Sequence, residues 1–181
     1  MPQTNSTVEE RIVEMRFDNK QFESGVKQTM STLDKLKEKN IVVRRPIGPE
    51  NYAVIGWIRQ NFGAGWAGES ENAFFRSPKS IFIAVREKTH ENGHVSSEML
   101  GFGCYDATAK GFFGPTGVAL SERKQGIGSA LLMACLHGMR EEGYGYAIIG
   151  DAGPVDYYKK TVGATVIEGS DPGVYRGMLH G

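Results

Sequence analysis

The stretch VALSERKQGIGSALL, residues 118–132, decides the architecture, because an apolar strand, a glycine-bearing loop and a helix follow one another within it. Gly126 and Gly128 leave the loop backbone open to close approach, and the N–H groups at a helix start attract anions. Arg123 and Lys124 add positive charge. The stretch therefore predicts a strand–loop–helix unit that binds a diphosphate. One face of its helix has apolar or small residues at spacings of three and four: Ile127, Ala130, Leu131, Ala134, Cys135 and Gly138.

Two familiar phosphate-binding motifs do not fit this loop. The GxxxxGK[ST] spacing of a Walker A loop is absent, and so are the third glycine and the acidic partner of a dinucleotide-binding fingerprint. An ordinary tight turn between a strand and a helix is the alternative interpretation of the same glycines.

Apolar patterns on both sides of this unit predict the remaining elements. SIFIAVR (80–86) is a strand, and YAIIG (146–150) is a continuous apolar strand of the kind that is buried on both faces. From residue 41 onward the predicted order is β-α-α-β-β-β-α-β-α-β-β, with the last two strands at 164–167 and 174–178. We expect an α/β fold in which helices flank a mixed central sheet.

Residues 1–40 precede this order and predict a short strand and one amphipathic helix. The division is therefore an N-terminal strand and helix appendage, 1–40, and one domain, 41–181. The apolar stripe of the helix predicts burial either on the domain or in a homodimer; its members are Phe22, Val26, Met30, Leu33 and Leu36.

The composition excludes several classes of protein. Lys and Arg total 21 and so do Asp and Glu, so the chain lacks the basic excess of a protein that binds nucleic acid or an anionic membrane. No apolar run approaches a membrane span, and the N-terminus has no signal-peptide pattern. Two distant cysteines fit a reducing compartment, and the four histidines show no metal spacing. We expect a cytoplasmic protein without a metal.

The motif R-x-x-G-x-G followed by SALL resembles the signature of the GNAT superfamily of N-acetyltransferases. The similarity covers about residues 41–181 and includes the element order, the strand VAL before the loop and the later DYYKK. It implies a GNAT-like fold and transfer of acetyl from acetyl-CoA to a primary amine, of a small molecule or a protein lysine, by direct attack in a ternary complex. The implied cofactor-binding residues are Val118, Ala119, Leu120, Arg123, Lys124, Gln125, Gly126, Ile127, Gly128 and Ser129.

The resemblance also implies the catalytic geometry. The thioester carbonyl would accept a hydrogen bond from the Val118 N–H, next to a strand bulge at 114–117. A tyrosine on the helix after YAIIG would protonate the leaving thiolate. Tyr158 matches that position best, although one residue more than usual separates it from the following glycine, so Tyr157 beside it is the alternative.

The general base and the acceptor pocket are less specified by the sequence. Asp151, at the end of YAIIG, is the first choice for the base; the alternatives are Asp106, Glu69 and Glu71. FGAGWAG (62–68) is predicted to be a glycine-rich loop. Aromatic residues near its glycines are candidates for the wall of an acceptor pocket, with core packing as the alternative: Trp57, Phe62 and Trp66.

A second resemblance concerns the N-terminal segment. VEERIVEMRFDNKQFESGV (8–26) resembles the start of phage tail tape-measure proteins, which implies a bacterial or phage setting and an assembly role for the helix. Two functions other than catalysis therefore stay open. One is a non-catalytic acyl-CoA-binding module, and the other is a phage-associated interaction protein that acts through its N-terminal helix.

Overall fold

The computed structural model describes residues 12–170 and 173–179. Its strands are β1 Val13–Arg16, β2 Ile41–Arg44, β3 Ile81–Thr89, β4 Val95–Tyr105, β5 Phe113–Val118, β6 Tyr146–Ile149 and β7 Thr165–Val166. Its α-helices are α1 Lys20–Glu38, α2 Asn51–Phe62, α3 Ala64–Phe75, α4 Ile127–Glu141 and α5 Val155–Val162. The predicted α/β class is confirmed, and from β2 to β7 the predicted order β-α-α-β-β-β-α-β-α-β is observed.

Strands β2 to β5 form a four-stranded antiparallel sheet in which each strand pairs with its successor in the chain. Successive side chains of a strand point to opposite faces, and β3 follows this rule. Ile81, Ile83 and Val85 pack with α2 and α3 on one face, whereas Ala84 packs with α4 on the other. Both faces of this sheet are therefore covered, which explains the nearly continuous apolar sequence of β3.

Helices α2 and α3 correct one sequence expectation. The glycine-rich segment 62–68 was predicted to be a loop, but it is helical from Ala64 onward, and only Gly63, with a φ of +96°, separates the two helices. Ala67 within this segment is fully buried against the sheet. Burial of Ala67 therefore outweighs the weak helix propensity of glycine here.

Strand β1 lies in the middle of a second, three-stranded sheet, between β6 and β7 and antiparallel to both. Val13 and Met15 are fully buried, while Glu14 and Arg16 form an ion pair on the other face. The described part of residues 1–40 is therefore built into the same architecture as the rest of the chain. This corrects the prediction of an N-terminal appendage.

The place of β1 explains why the last predicted strand is missing. Residues Gly173–Tyr175 form a 3₁₀ turn instead of a strand, and the side chains of Val174 and Met178 are each 52% exposed. Strand β1 instead occupies an edge of β7. Because β1 buries two apolar side chains completely, it is the better partner for that edge.

Helix α1 packs on α4 and α5 of its own chain. It begins after Asn19, whose Oδ1 accepts a hydrogen bond from the Phe22 N–H at 2.6 Å. The two ends of the predicted stripe, Phe22 and Leu36, are buried, whereas Met30 in the middle is 64% exposed. The stripe is therefore used within the protein itself at both ends, and the homodimer stays a prediction.

The two sheets meet between β5 and β6, which run parallel. In the part of the chain that the structure describes, they pair at one bridge, Phe112 with Ile148, where the Ile148 N–H donates to the Gly111 carbonyl at 2.9 Å. Beyond this bridge no ladder joins the described residues of the two strands. The strands separate toward Val118 and Gly150, and we call the resulting opening the wedge.

Candidate active site

The loop RKQGIGS leads from a 3₁₀ turn at Leu120–Glu122 into α4. The first intrahelical hydrogen bond runs from the Ala130 N–H to the Gly126 carbonyl at 3.0 Å, so the N–H groups of the first turn have no partner in the helix. They lie at the positive end of the helix dipole, and Arg123 and Lys124 precede them in the loop. We call residues 123–129 the anion cradle, because these features together suit a diphosphate.

Gly126 is required in the cradle for two reasons. Its φ of +90° lies in the left-handed region, which favours glycine. A Cβ atom at this position would also lie 2.5 Å from Cγ2 of Thr32 in α1. A side chain at residue 126 would therefore disturb the protein itself as well as any ligand.

The edge of β5 that faces the wedge has free backbone groups. The Ala119 N–H donates to the Leu100 carbonyl of β4 at 2.9 Å, and Gly101 is the partner of Val118 in the ladder. Because hydrogen-bonded and non-hydrogen-bonded pairs alternate in an antiparallel ladder, the N–H and C=O of Val118 point away from β4. The same alternation turns the backbone groups of Thr116 toward the wedge.

The bulge predicted at 114–117 is confirmed. Tyr105 pairs with Phe113 and Gly103 pairs with Thr116. Between these two pairs β5 advances by three residues, whereas β4 advances by two. The extra residue falls at 114–115 and bends the strand. The bulge lies between the closed end of the wedge and the outward-facing groups of β5.

The strand-end residues 118–120, predicted to contact the cofactor, differ in what they offer. Val118 has an outward carbonyl that accepts a hydrogen bond from Arg123 Nε at 3.4 Å. Ala119 has no free backbone group, because its N–H is bonded to β4 and its carbonyl accepts from the Glu122 N–H at 2.9 Å. The Ala119 N–H is therefore not available to a cofactor, and the role of Ala119 in cofactor binding stays a prediction. Leu120 is 79% exposed beside the cradle.

Similarity to solved structures supports the interpretation of this geometry. One is the GCN5-related glucosamine N-acetyltransferase region of a fungal multi-domain GH3 β-N-acetylglucosaminidase, with a TM-score of 0.62 and 14% identity over 87% of this chain and 19% of that chain. Another is a GCN5-related N-acetyltransferase from Sphaerobacter thermophilus, with a TM-score of 0.51 and 18% identity over 87% of this chain and 48% of that chain. The chain has the GCN5-related N-acetyltransferase fold.

The likeness to both structures is one of fold. This chain spans about a fifth and about half of the length of these two chains. No protein-family model and no curated protein matches the sequence. The GNAT-like fold predicted from RKQGIGS is confirmed, and the activity is argued below from the site.

In this GCN5-related fold, the two tyrosines of α5 have different surroundings. The Tyr157 hydroxyl lies 2.9 Å from Ser129 Oγ, in the first turn of α4. Burial raises the pKa of Tyr157, against the effect of its hydrogen bonds to Ser129 and Thr161. Tyr158 is 7% exposed, and its ring packs edge-on against Phe113 with the ring centroids 6.4 Å apart. Burial also raises the pKa of Tyr158, and its hydroxyl has no hydrogen-bond partner among the described residues.

The candidate carboxylates separate into structural and accessible groups. Asp106 accepts hydrogen bonds from Tyr144 Oη at 2.7 Å and from the Gly111 N–H at 2.5 Å, and it is paired with Arg76. This carboxylate is fully used in holding a loop, so it is a poor base. Asp151 is exposed just beyond β6, at the wedge.

Glu69 of α3 lies in the same neighbourhood as Asp151. Thr108 donates a hydrogen bond to the Glu69 carboxylate. Burial raises the pKa of Tyr175, and the charges of both Glu69 and Asp151 act in the same direction, against the effect of its hydrogen bond with Thr108. The structure therefore brings two of the predicted base candidates to one patch, around Tyr175. Glu71, the fourth candidate, is half-buried in α3.

An aromatic cluster covers β5 on the face that α2 and α3 occupy. Phe62 and Trp66 stack with centroids 5.3 Å apart, and both contact Phe102. The Phe62 ring lies so close to Gly117 that a Cβ there would be 2.5 Å from the ring. Trp66 is 39% exposed, so part of this side chain is open to solvent. Trp57 also packs on Phe62.

The cysteines are unsuited to nucleophilic catalysis. Both are fully buried, and burial raises the pKa of Cys104 to about 12 and that of Cys135 well above the ordinary value. Among residues 12–170 and 173–179, no group of three or more His, Cys, Asp or Glu side chains is placed to hold a metal ion. No helix in these ranges is long and apolar enough to cross a membrane.

Sequence reasoning missed two contributions to the site. Thr116 offers backbone groups to the wedge, which the register of β5 reveals. Lys39, at the end of α1, donates from Nζ to Gln125 Oε1 in the cradle at 2.9 Å. Gln125 in turn donates to Glu122 at 2.9 Å, and Glu122 is paired with Arg86 at 2.5 Å. No local signal identifies Lys39, because 86 positions separate it from Gln125.

Proposed function

We propose that this protein is an acetyl-CoA-dependent N-acetyltransferase whose acceptor is a primary amine, of a small molecule or of a protein lysine. The observation that carries the proposal is the wedge. Outward backbone groups of Thr116 and Val118 line it, and the anion cradle lies at its end. The backbone groups suit a thioester carbonyl and the cradle suits a diphosphate. A CoA thioester carries both of these groups on one extended arm.

The reaction is the attack of a neutral amine nitrogen on the thioester carbonyl carbon. The C–S bond breaks, the acetyl group stays on nitrogen, and the sulfur leaves as a thiolate that takes up a proton. An outward N–H of Thr116 or Val118 stabilises the negative charge that develops on the carbonyl oxygen. These donors are held by the sheet before the reaction begins, so they need no reorganisation.

Proton transfer requires a base and an acid. An ammonium group of pKa about 10.4 must lose a proton before it can attack. We assign this step to Asp151, directly or through water, with Glu69 as the alternative on the same patch. For the thiolate we assign Tyr157 in preference to Tyr158, because the Tyr157 hydroxyl already reaches the first turn of α4 whereas Tyr158 is packed on Phe113.

The acceptor class follows from the open side of β5. On the side of the sheet opposite α4 lie the carboxylates of Glu69 and Asp151 and the partly exposed side chain of Trp66. Carboxylates and aromatic rings both attract a cation. An amine that is protonated in solution is therefore the acceptor that this surface suits. These features support a cationic amine and leave small-molecule and protein acceptors as the two arms of the test.

The cradle is tested by Gly128→Asp. A Cβ at Gly128 meets only Val118 Cγ2, at 3.8 Å, so the fold has room for it. An acidic residue in the first turn stabilises a helix by about 0.3–1 kcal/mol. The same charge repels a diphosphate, so we expect the Kd for acetyl-CoA to rise at least about tenfold while thermal stability is kept or raised. Calorimetric titration and thermal unfolding measure the two effects.

Gly65→Asp is the matched control. Gly65 also occupies the second position of a helix, α3, and nothing lies within 4 Å of a Cβ there. This variant should bind acetyl-CoA like the wild type. If Gly128→Asp binds equally well, the cradle does not hold the diphosphate.

Catalysis itself is tested by a screen for acetyl transfer, read by mass, with amines, polyamines, amino acids, aminoglycosides and lysine-bearing proteins as acceptors. Acetylated product together with free CoA supports the enzyme. Tight binding of acetyl-CoA without release of CoA to any acceptor identifies a non-catalytic acyl-CoA-binding module instead.

A further inference from the structure

We propose that the N-terminal helix supplies part of the cofactor site, with Lys39 as a phosphate-binding residue that acts together with the cradle. The proposal rests on the proposed function, since it assumes that the cradle takes the diphosphate of CoA. It concerns a residue far outside the RKQGIGS loop, on a segment that the sequence presented as separate from the domain.

The backbone places Lys39 beside the cradle. Lys39 is the C-cap residue that follows α1, with its N–H bonded to the Leu36 carbonyl at 3.0 Å. The next residue, Asn40, is tied to β3, because its carbonyl accepts from the Glu87 N–H at 2.8 Å. The backbone of Lys39 is therefore fixed by both the helix and the sheet. Its ammonium group reaches the loop without any movement of the backbone.

Contacts between α1 and the loop point the same way. The Lys39 ammonium is 2.9 Å from Gln125 Oε1. Thr32, about two helical turns earlier in α1, is close enough to Gly126 to exclude a side chain there. Lys39 is exposed, so its remaining N–H donors are free to reach an anion at the loop. Helix α1 thus borders the cradle at two points.

The charge balance gives Lys39 a distinct role. Glu122, next to the cradle, is acidic and would repel a phosphate. Hydrogen bonds from Arg86 hold the pKa of Glu122 below its ordinary value, and the charge of Lys39 contributes in the same direction. Arg86 is already shared between Glu98 and Glu122. Lys39 is bonded to a neutral amide, so its charge is available to a ligand.

The test compares Lys39→Ala with Lys37→Ala by calorimetric titration with CoA. Lys37 is exposed in the last turn of the same helix and serves as the matched control. We expect Lys39→Ala to raise the Kd about five- to tenfold, with a shallower dependence on salt, and Lys37→Ala to change it less than about twofold. Titration with dephospho-CoA then identifies the phosphate. An equal loss indicates the diphosphate, and a loss confined to CoA indicates the 3′-phosphate.

A second pair of variants separates binding from loop positioning. If Lys39 binds phosphate, Lys39→Ala weakens CoA binding in a Gln125→Ala background as well. If it adds nothing there, Lys39 acts only by holding Gln125 and the proposal is overturned. An unchanged Kd for Lys39→Ala in the wild-type background also overturns it. A wild-type protein that does not bind CoA at all refutes the proposed function instead.

Discussion

The two sheets on either side of the wedge are assembled in opposite ways. The β2–β5 sheet joins strands that follow one another along the chain. The β6–β1–β7 sheet depends on β1, in which Val13 pairs with Ile149, 136 positions further along the chain. The wedge thus has one wall built from local pairing and another that is incomplete until an N-terminal strand enters it.

This difference decides which parts of the molecule can be altered without loss of the fold. Contacts close in sequence need little loop closure, whereas β1 must be brought to β6 from the other end of the chain. In return it contributes the fully buried side chains of the central strand in its sheet. We expect changes in β1 and α1 to cost far more than changes of equal size at the hairpin tip of the other sheet.

Removal of residues 1–40 is the strongest way to break this comparison. A chain beginning at Ile41 lacks β1, Phe22 and Leu36, which leaves the inner edges of β6 and β7 unpaired and an apolar face of α4 uncovered. We expect this chain to aggregate or to lose cooperative unfolding, as measured by light scattering and circular dichroism.

The matched deletion shortens the exposed β3–β4 tip, residues 90–94, to a two-residue turn. This change should leave a folded monomer, because the tip contributes no buried side chain. A 41–181 chain that is as soluble and as stable as the full protein would show that the N-terminal strand is dispensable.

A pair of methionine substitutions sharpens the comparison at single residues. Met15 in β1 is fully buried, and Met178 in the segment predicted to be a strand is 52% exposed. Met15→Ala should lower the free energy of unfolding by about 2–5 kcal/mol, whereas Met178→Ala should change it by less than about 0.5 kcal/mol. Urea unfolding measures both. Equal losses would mean that residues 174–178 also contribute to the sheet.

The tyrosines of α5 test how the second wall serves the proposed chemistry. Tyr157→Phe keeps the ring and removes the hydroxyl, so we expect kcat to fall at least about 100-fold with little change in the KM for acetyl-CoA. Ser129→Ala removes the hydrogen bond but keeps the Tyr157 hydroxyl, and because Ser129 lies in the cradle its comparison is made on kcat and not on the KM for acetyl-CoA. A slow Tyr158→Phe beside a fully active Tyr157→Phe would return the role to Tyr158.

The smallest effect is expected in the locally paired half. Arg44 donates two hydrogen bonds to Glu50, and this holds the pKa of Glu50 below its ordinary value despite partial burial. Glu50→Gln should cost about 1 kcal/mol at pH 7. A carboxyl whose pKa is lowered by folding stabilises above its unfolded pKa and loses this contribution as pH falls. The difference from wild type, followed by thermal unfolding, should therefore disappear below about pH 4. A difference that persists at pH 3 would assign it to packing.

Sequence patterns were sufficient for several elements in which neighbours in the chain are neighbours in space, although the local segments 62–68 and 174–178 were mispredicted. The 3–4 spacing of α4 and the apolar run of β3 were readable, because each depends on a few consecutive residues, and the bulge at 114–117 followed from the resemblance. The pairing of β1 with β6 could not be predicted from the sequence. The apolar alternation of Val13 and Met15 predicts a strand but does not indicate which strand it pairs with. Residues 174–178 also show an apolar pattern, but they form no strand in the structure.

The same distinction holds for the candidate site. The glycines of the cradle are visible in RKQGIGS, and so is the helix that follows. The outward direction of the Thr116 backbone depends on the ladder register, and the engagement of Ala119 depends on hydrogen bonds to its neighbours. Lys39 reaches Gln125 only through the fold. The choice between Tyr157 and Tyr158 likewise depends on helix rotation, which a one-residue change in spacing alters.

The central position of β1 also affects how the protein is completed on the ribosome. β1 is synthesised before every other described strand, yet β6 and β7 follow only after the β2–β5 sheet has been made. During most of translation β1 therefore stands without a partner, with two apolar side chains and both backbone edges exposed. Such a strand can pair with another nascent chain. A ribosome that stalls between β5 and β6 holds the chain in this state, because neither partner strand of β1 has yet been made.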